Sequence, residues 1–216
     1  MKYAAVIFDL DGTLLDTLED LADSMNTALA AQGLPTHPLE AFKVFVGDGL
    51  EVFTRRSLGP RGGDDELVRR TIELQRDRYS RCWADRTRPY PGISDLLDAL
   101  TARGIPIAVL SNKPHPFTLK CVHQLLGQWS FAAVEGAQDG VPRKPDPAAA
   151  MAIAARLNVP CSDVLYLGDT NTDMQTAVGA GMHAVGVLWG FRQAAELTAN
   201  GARTLLANPI DLLKLL

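Results

Sequence analysis

Five short apolar runs, at residues 4–8, 106–110, 131–134, 164–167 and 184–188, most constrain what this chain can become. Most lack the polar alternation of a half-exposed strand, so they suit parallel strands covered on both faces. Helical spacing separates the later ones. Ile93, Leu96, Leu97 and Leu100 mark one helix face, which Gly104 stops, and Leu119, Val122, Leu125 and Leu126 mark a second. An alanine-rich stretch at 148–157 is a third. Strands alternating with helices predict an α/β fold: an open, Rossmann-like parallel sheet with helices on both sides. A weak last strand is expected at 204–206, and a short C-terminal helix after Asn208-Pro209.

Residues 17–88 break this alternation. They contain no convincing strand, and their apolar spacing predicts helices over 18–29, 39–58 and 66–83. Pro89-Tyr90-Pro91-Gly92 marks the return to the alternating pattern. The expected organisation is a core made of residues 1–16 and 89–216, with a small helical domain, 17–88, inserted after the first strand. A chain of 216 residues is long enough for such a core plus an insert.

The net charge of −4 and the absence of a long basic run argue against nucleic acid as a partner. An anionic ligand would therefore need a local positive centre, a placed lysine or a metal ion. The apolar run near the N-terminus ends at Phe8 and meets two aspartates, too short for a signal sequence. No apolar stretch reaches membrane-spanning length, so no membrane association is expected. Cys82, Cys121 and Cys161 form no CxxC pair and read as reduced thiols of a cytoplasmic protein. Monomer and homodimer are both compatible with the sequence.

Chemistry concentrates where the apolar runs end. The first runs into Asp9-Leu10-Asp11-Gly12-Thr13, and ligands of open α/β sheets bind beyond the carboxyl ends of strands. Strand alternation would put Asp9 and Asp11 on one side, where two close carboxylates need a cation or a shared proton. The fourth run ends in Gly168-Asp169-Thr170-Asn171-Thr172-Asp173. Carboxylates from two neighbouring strand ends form a hard oxygen set that suits Mg²⁺. Thr170 or Asn171 also reads as a helix N-cap, with Asp173 a favourable first-turn charge. The second run ends in Ser111-Asn112-Lys113, whose hydroxyl and amide suit a phosphate oxygen or, more blandly, a helix cap. Lys144 lies in a proline-rich loop, Pro142-Arg143-Lys144-Pro145, where it would serve as a point charge for phosphate.

These elements, in this order, resemble the haloacid dehalogenase superfamily over essentially the whole chain. Asp9/Asp11, Ser111, Lys144 and Asp169/Asp173 resemble its first, second, third and fourth motifs. The resemblance implies a Mg²⁺-dependent phosphatase acting on a small phosphorylated metabolite. It implies Asp9 as nucleophile and Asp11 as general acid and base. Asp9, Asp169 and the Asp11 carbonyl would hold Mg²⁺. Ser111, Asn112 and Lys144 would bind the phosphoryl group, and Asp173 would support the metal site through water or Lys144. The insert would be a helical cap.

Softer features resemble the phosphoglycolate phosphatase group within that superfamily: Ser111-Asn112-Lys113-Pro114, Val46-Gly47-Asp48-Gly49, and Gly186-Val187-Leu188-Trp189-Gly190. A cap loop of Gly47, Asp48 and Gly49 would bring backbone donors onto a small carboxylate or phosphate ester and select the substrate, with Arg55, or else Arg56, facing the site; the alternative reading is that both arginines are solvated. The same motifs also fit a sugar-phosphate phosphatase, acting for example on N-acetylmuramic acid 6-phosphate. They fit a phosphomutase, or a regulatory protein on the same scaffold, as well. The histidines His37, His115, His123 and His183 show no ligand spacing, and Trp83, Trp129 and Trp189 read as packing residues.

Overall fold

The computed structural model describes residues 3–216. The chain divides into two compact units: one runs to Leu15 and resumes over Pro89–Leu216, the other is Asp16–Arg88. In chain order the elements are β1 (Ala5–Phe8), β2 (Leu15–Asp16), α1 (Leu18–Ala30), α2 (Leu39–Phe45), α3 (Leu50–Leu58), α4 (Asp65–Cys82) and β3 (Arg88–Pro89). Then follow α5 (Ile93–Ala102), β4 (Ile107–Pro114), α6 (His115–Leu125), β5 (Ala133–Ala137), α7 (Ala148–Arg156) and β6 (Val164–Gly168). The chain ends with α8 (Asn171–Gly179), β7 (His183–Val187), α9 (Ala194–Ala199), β8 (Thr204–Leu206) and a 3₁₀ turn at Pro209–Lys214.

The first unit is a six-stranded sheet in the order β5-β4-β1-β6-β7-β8. All its pairings are parallel, as the unbroken apolar runs require. Every residue of β1 is buried. Ala5 and Ile7 pack with Ala108, Leu110, Val164 and Tyr166 of the flanking strands and with Ile153, Met174 and Leu197 from the helices. Val6 and Phe8, which alternate to the other face, are fully buried too, so the sheet is covered on both sides. The strand order reverses at β1: the chain builds outward through β4 and β5, then crosses back to β6. That switch point opens a crevice at the carboxyl ends of β4, β1 and β6.

The second unit is helical, as expected, with one difference. The single helix anticipated over 39–58 is two helices, α2 and α3, interrupted at residues 46–49. Gly47 (φ 129°) and Gly49 (φ 90°) take backbone conformations that an α-helix cannot contain, and that other residues reach only with strain. Asp20, near the start of α1, is buried and accepts hydrogen bonds from the Arg86 N–H (3.1 Å), the Thr87 N–H (2.8 Å) and the Thr87 hydroxyl (2.7 Å). It pins the returning chain against the first helix of its own unit.

Candidate active site

Asp9 follows β1 directly, and its backbone N–H donates to the Leu167 carbonyl of β6 (2.9 Å). The loop after it closes around the Leu10 carbonyl, which accepts from the N–H groups of Thr13, Leu14 and Leu15. Gly12 makes that turn possible at φ 88°, and a Cβ there would collide with the Asp169 carboxylate. Asp169 follows β6. Its Oδ1 accepts from the Thr13 hydroxyl (3.2 Å) and its Oδ2 from the Phe191 N–H (2.7 Å). Trp189, expected as a packing residue, donates from Nε1 to the Thr13 carbonyl (2.9 Å) and ties the 189–191 segment to the same loop.

Asp9, Asp169 and Asp173 each present a carboxylate oxygen within 4.8 Å of the others, all three buried. Lys144 enters this group as its cation. Its Nζ is 2.8 Å from Asp9 Oδ1 and 2.7 Å from Asp173 Oδ1, with the side chain 2 % exposed. Asp173 therefore meets Lys144 directly. It also closes a capping box: Thr170 is the N-cap of α8, and its N–H and hydroxyl both donate to Asp173 Oδ2. Both readings of this segment hold at once, cap and carboxylate cluster.

The electrostatics follow from burial. Desolvation, reinforced by the Asp173 carboxylate and opposed by Lys144, pushes the Asp9 carboxyl up to about 7. Asp169 is also raised well above the carboxylate range, by burial first and then by Asp173 and Asp9, against the Phe191 N–H and the nearby Arg192. Burial alone would pull Lys144 down, but Asp173 and Asp9 more than offset it, and the ammonium is held well above its ordinary value. Fully ionised, three carboxylates against one lysine would leave an excess of negative charge in a dry place, and without a cation the cluster holds protons instead. A small hard cation with oxygen ligands is the group such a cluster fits.

The second-motif residues stand on the other side of β1. Strand β4 runs on to Pro114 instead of ending at residue 110, with irregular register after Leu110. Ser111 is therefore in the strand and is not a helix cap; its Oγ accepts from the Lys113 N–H (3.2 Å). The Asn112 side chain, expected to face phosphate, donates to the backbone carbonyl of Lys144 (3.0 Å) and steadies the loop that carries the lysine. Asp11 does not join the three-carboxylate cluster. Both its oxygens face Lys113 Nζ, at 2.9 and 3.1 Å. Nothing in the local sequence Ser111-Asn112-Lys113-Pro114 signals this partner, because the two residues are far apart along the chain. Behind Ser111, Asn112 and Lys144 a cavity of about 280 Å³ reaches α7, with Glu135, Arg143 and Arg156 on its wall.

In the helical unit, Arg55 is held by its neighbours. It binds Glu51 (2.8 Å), Asp65 (2.8 Å) and the Gly62 carbonyl (2.8 Å). Three acceptors on its own and neighbouring segments satisfy the guanidinium fork. Asp48 pairs with Arg56 (2.6 Å), so the 46–49 turn is braced by a residue of α3.

Residues 3–181 match the family described as haloacid dehalogenase-like hydrolase. The chain belongs to that family. Among curated relatives, this haloacid dehalogenase-like hydrolase is 37 % identical over 199 residues to the phosphoglycolate phosphatase of Nitrosospira multiformis, covering 89 % of this chain and 86 % of the relative. It is 31 % identical over 210 residues to the phosphoglycolate phosphatase of Yersinia pestis, covering 96 % and 90 %. A crystal structure from Lactobacillus delbrueckii subsp. bulgaricus shares 33 % identity at a TM-score of 0.89, covering 98 % of this chain and 97 % of that one. No helix among the described residues is long and apolar enough to cross a membrane, and none of the three cysteines is paired with another.

Proposed function

We propose that this protein is a phosphatase of small phosphate monoesters, acting through a phospho-aspartate on Asp9, with 2-phosphoglycolate as its substrate. The observation that carries the reading is Lys144 bridging Asp9 and Asp173 beside Asp169, at the switch point of a parallel sheet. The substrate is taken from the relatives, several of which are phosphoglycolate phosphatases at 29–37 % identity.

In this mechanism an Asp9 carboxylate oxygen attacks phosphorus, and the bond from phosphorus to the ester oxygen breaks. Asp11 gives its proton to the departing oxygen, then takes one from the water that attacks the phospho-aspartate and frees Asp9 and phosphate. Lys144 offsets charge on the transferring oxygens and holds Asp9 in line. The Ser111 hydroxyl is a donor for a phosphoryl oxygen. Asp9, Asp169 and the Asp11 carbonyl would hold Mg²⁺, which when bound supplies electrostatic stabilisation of the phosphoryl charge. Asp173 acts through Lys144. Selection among esters is assigned to the Gly47-Asp48-Gly49 turn of the helical unit, and the cytoplasm is the proposed compartment.

The test is a phosphate-release screen with Mg²⁺ against 2-phosphoglycolate, sugar phosphates including N-acetylmuramic acid 6-phosphate, nucleotides and pyrophosphate. Hydrolysis of 2-phosphoglycolate above the others, abolished by EDTA and by Asp9→Asn, is the expected result. Isomerised sugar phosphate without free phosphate would make the protein a mutase instead.

A further inference from the structure

Lys113 is the strongest unexplained group in the core unit. A lysine at a strand end normally extends its stem and puts the ammonium in water. This one is 3 % exposed at the side chain, and its Nζ contacts both oxygens of Asp11, whose side chain is 13 % exposed. Taking a lysine out of water is costly, and the ion pair repays it only with good geometry. The neighbouring carboxylates do not need it: Asp9 and Asp173 already have Lys144. Its backbone is fixed as well, since the Lys113 N–H donates to Ser111 Oγ and its carbonyl accepts from the Thr118 hydroxyl (3.1 Å). The fixed anchor and the two-point contact together set both where the Asp11 carboxyl lies and how it is rotated.

We propose that Lys113 is the positioning residue for Asp11, holding its carboxyl in the orientation from which it exchanges a proton with the leaving oxygen. This rests on the role given to Asp11 above. The proton passes from Asp11 to the ester oxygen as the bond from phosphorus to that oxygen breaks; Lys113 keeps its own protons throughout. Its effect on kcat/KM, which reports phosphoryl transfer to Asp9, is therefore largest for esters whose leaving group needs a proton. An alkoxide does, and 4-nitrophenolate, a stable anion, does not. The later attack of water on the phospho-aspartate is common to all esters.

The experiment compares kcat/KM for 2-phosphoglycolate and for 4-nitrophenyl phosphate at saturating Mg²⁺, in wild type, Lys113→Met, Lys113→Arg and Asp11→Asn. Lys113→Met is expected to lose at least about ten-fold more on the alkyl ester than on the aryl ester, as Asp11→Asn does. Lys113→Arg, which restores a two-point donor, is expected to recover most of the alkyl rate. Equal losses on both esters in Lys113→Met would overturn the proposal and make the lysine a structural or phosphoryl-binding group. If Lys113→Met does not fold, Lys113→Gln, which also removes the ammonium, decides: equal losses on both esters in that folded variant overturn it too. If Asp11→Asn itself shows no difference between the esters, the acid role of Asp11 is what fails, and the proposal falls with it.

Discussion

The Lys144 ammonium stands 2.8 Å from Asp9 Oδ1, with both side chains almost wholly out of water. Removing the cation leaves carboxylates buried without compensation, a loss of about 3–5 kcal/mol where a pair is broken from one side. Lys144→Met is therefore expected to lower the melting temperature clearly at pH 8 and to cut turnover on the order of 10²-fold or more. Circular dichroism melts and phosphate release read the two effects. A variant as stable and active as wild type would remove Lys144 from the centre of the site.

The raised Asp9 carboxyl predicts how the metal-free protein responds to pH. Its folded value, about 7, lies above the ordinary 3.8, so between these values the folded chain holds a proton that the unfolded chain has lost. Stability present at low pH is then lost as pH rises through this window, on the order of 1–3 kcal/mol or several degrees of melting temperature. Asp169 acts in the same direction. Thermal melts of metal-free protein from pH 5 to 8 check this, and Asp9→Asn should flatten the slope. A melting temperature that climbs from pH 5 to 7 in wild type, relative to Asp9→Asn, contradicts it.

The same proton competes with the cation. Mg²⁺ affinity is expected to increase up to about pH 7, by roughly ten-fold per pH unit if one proton is displaced, and to level off above it. Titration calorimetry at several pH values measures this. A flat profile would mean that Asp9 does not ligate the ion.

Gly190 approaches Asp169 so closely that a Cβ would collide with its side chain and with the Gly12 carbonyl. Gly190→Ala should displace a carboxylate that the Thr13 hydroxyl and the Phe191 N–H now orient, weakening Mg²⁺ binding on the order of 10–100-fold while the sheet survives. Direct metal titration is the check, and unchanged affinity would separate Asp169 from the metal.

Asp20 gives a prediction for the helical unit alone. It accepts from the Arg86 and Thr87 backbone and from the Thr87 hydroxyl, and Asp20→Ala strands buried donors. The expected cost is about 2–4 kcal/mol, visible as accelerated hydrogen exchange at the Arg86 and Thr87 amides. Wild-type protection there would show that other contacts hold the return segment.

The apolar runs determined the parallel sheet and the placing of aspartates at two of its strand ends, because strand burial and strand-end position are properties of adjacent residues. The sequence read residues 39–58 as one helix, since apolar spacing alone does not reveal that Gly47 and Gly49 leave the helical backbone region. Which cation meets which carboxylate was decided only by the tertiary structure. Lys144 with Asp9 and Asp173, Lys113 with Asp11, and the Phe191 N–H with Asp169 join groups brought together by strand order. Arg55 likewise meets Asp65 and the Gly62 carbonyl, partners that its sequence position does not reveal. Coulomb and hydrogen-bond energies depend on distance in space, and distance in space is set by the order β5-β4-β1-β6 rather than by separation along the chain.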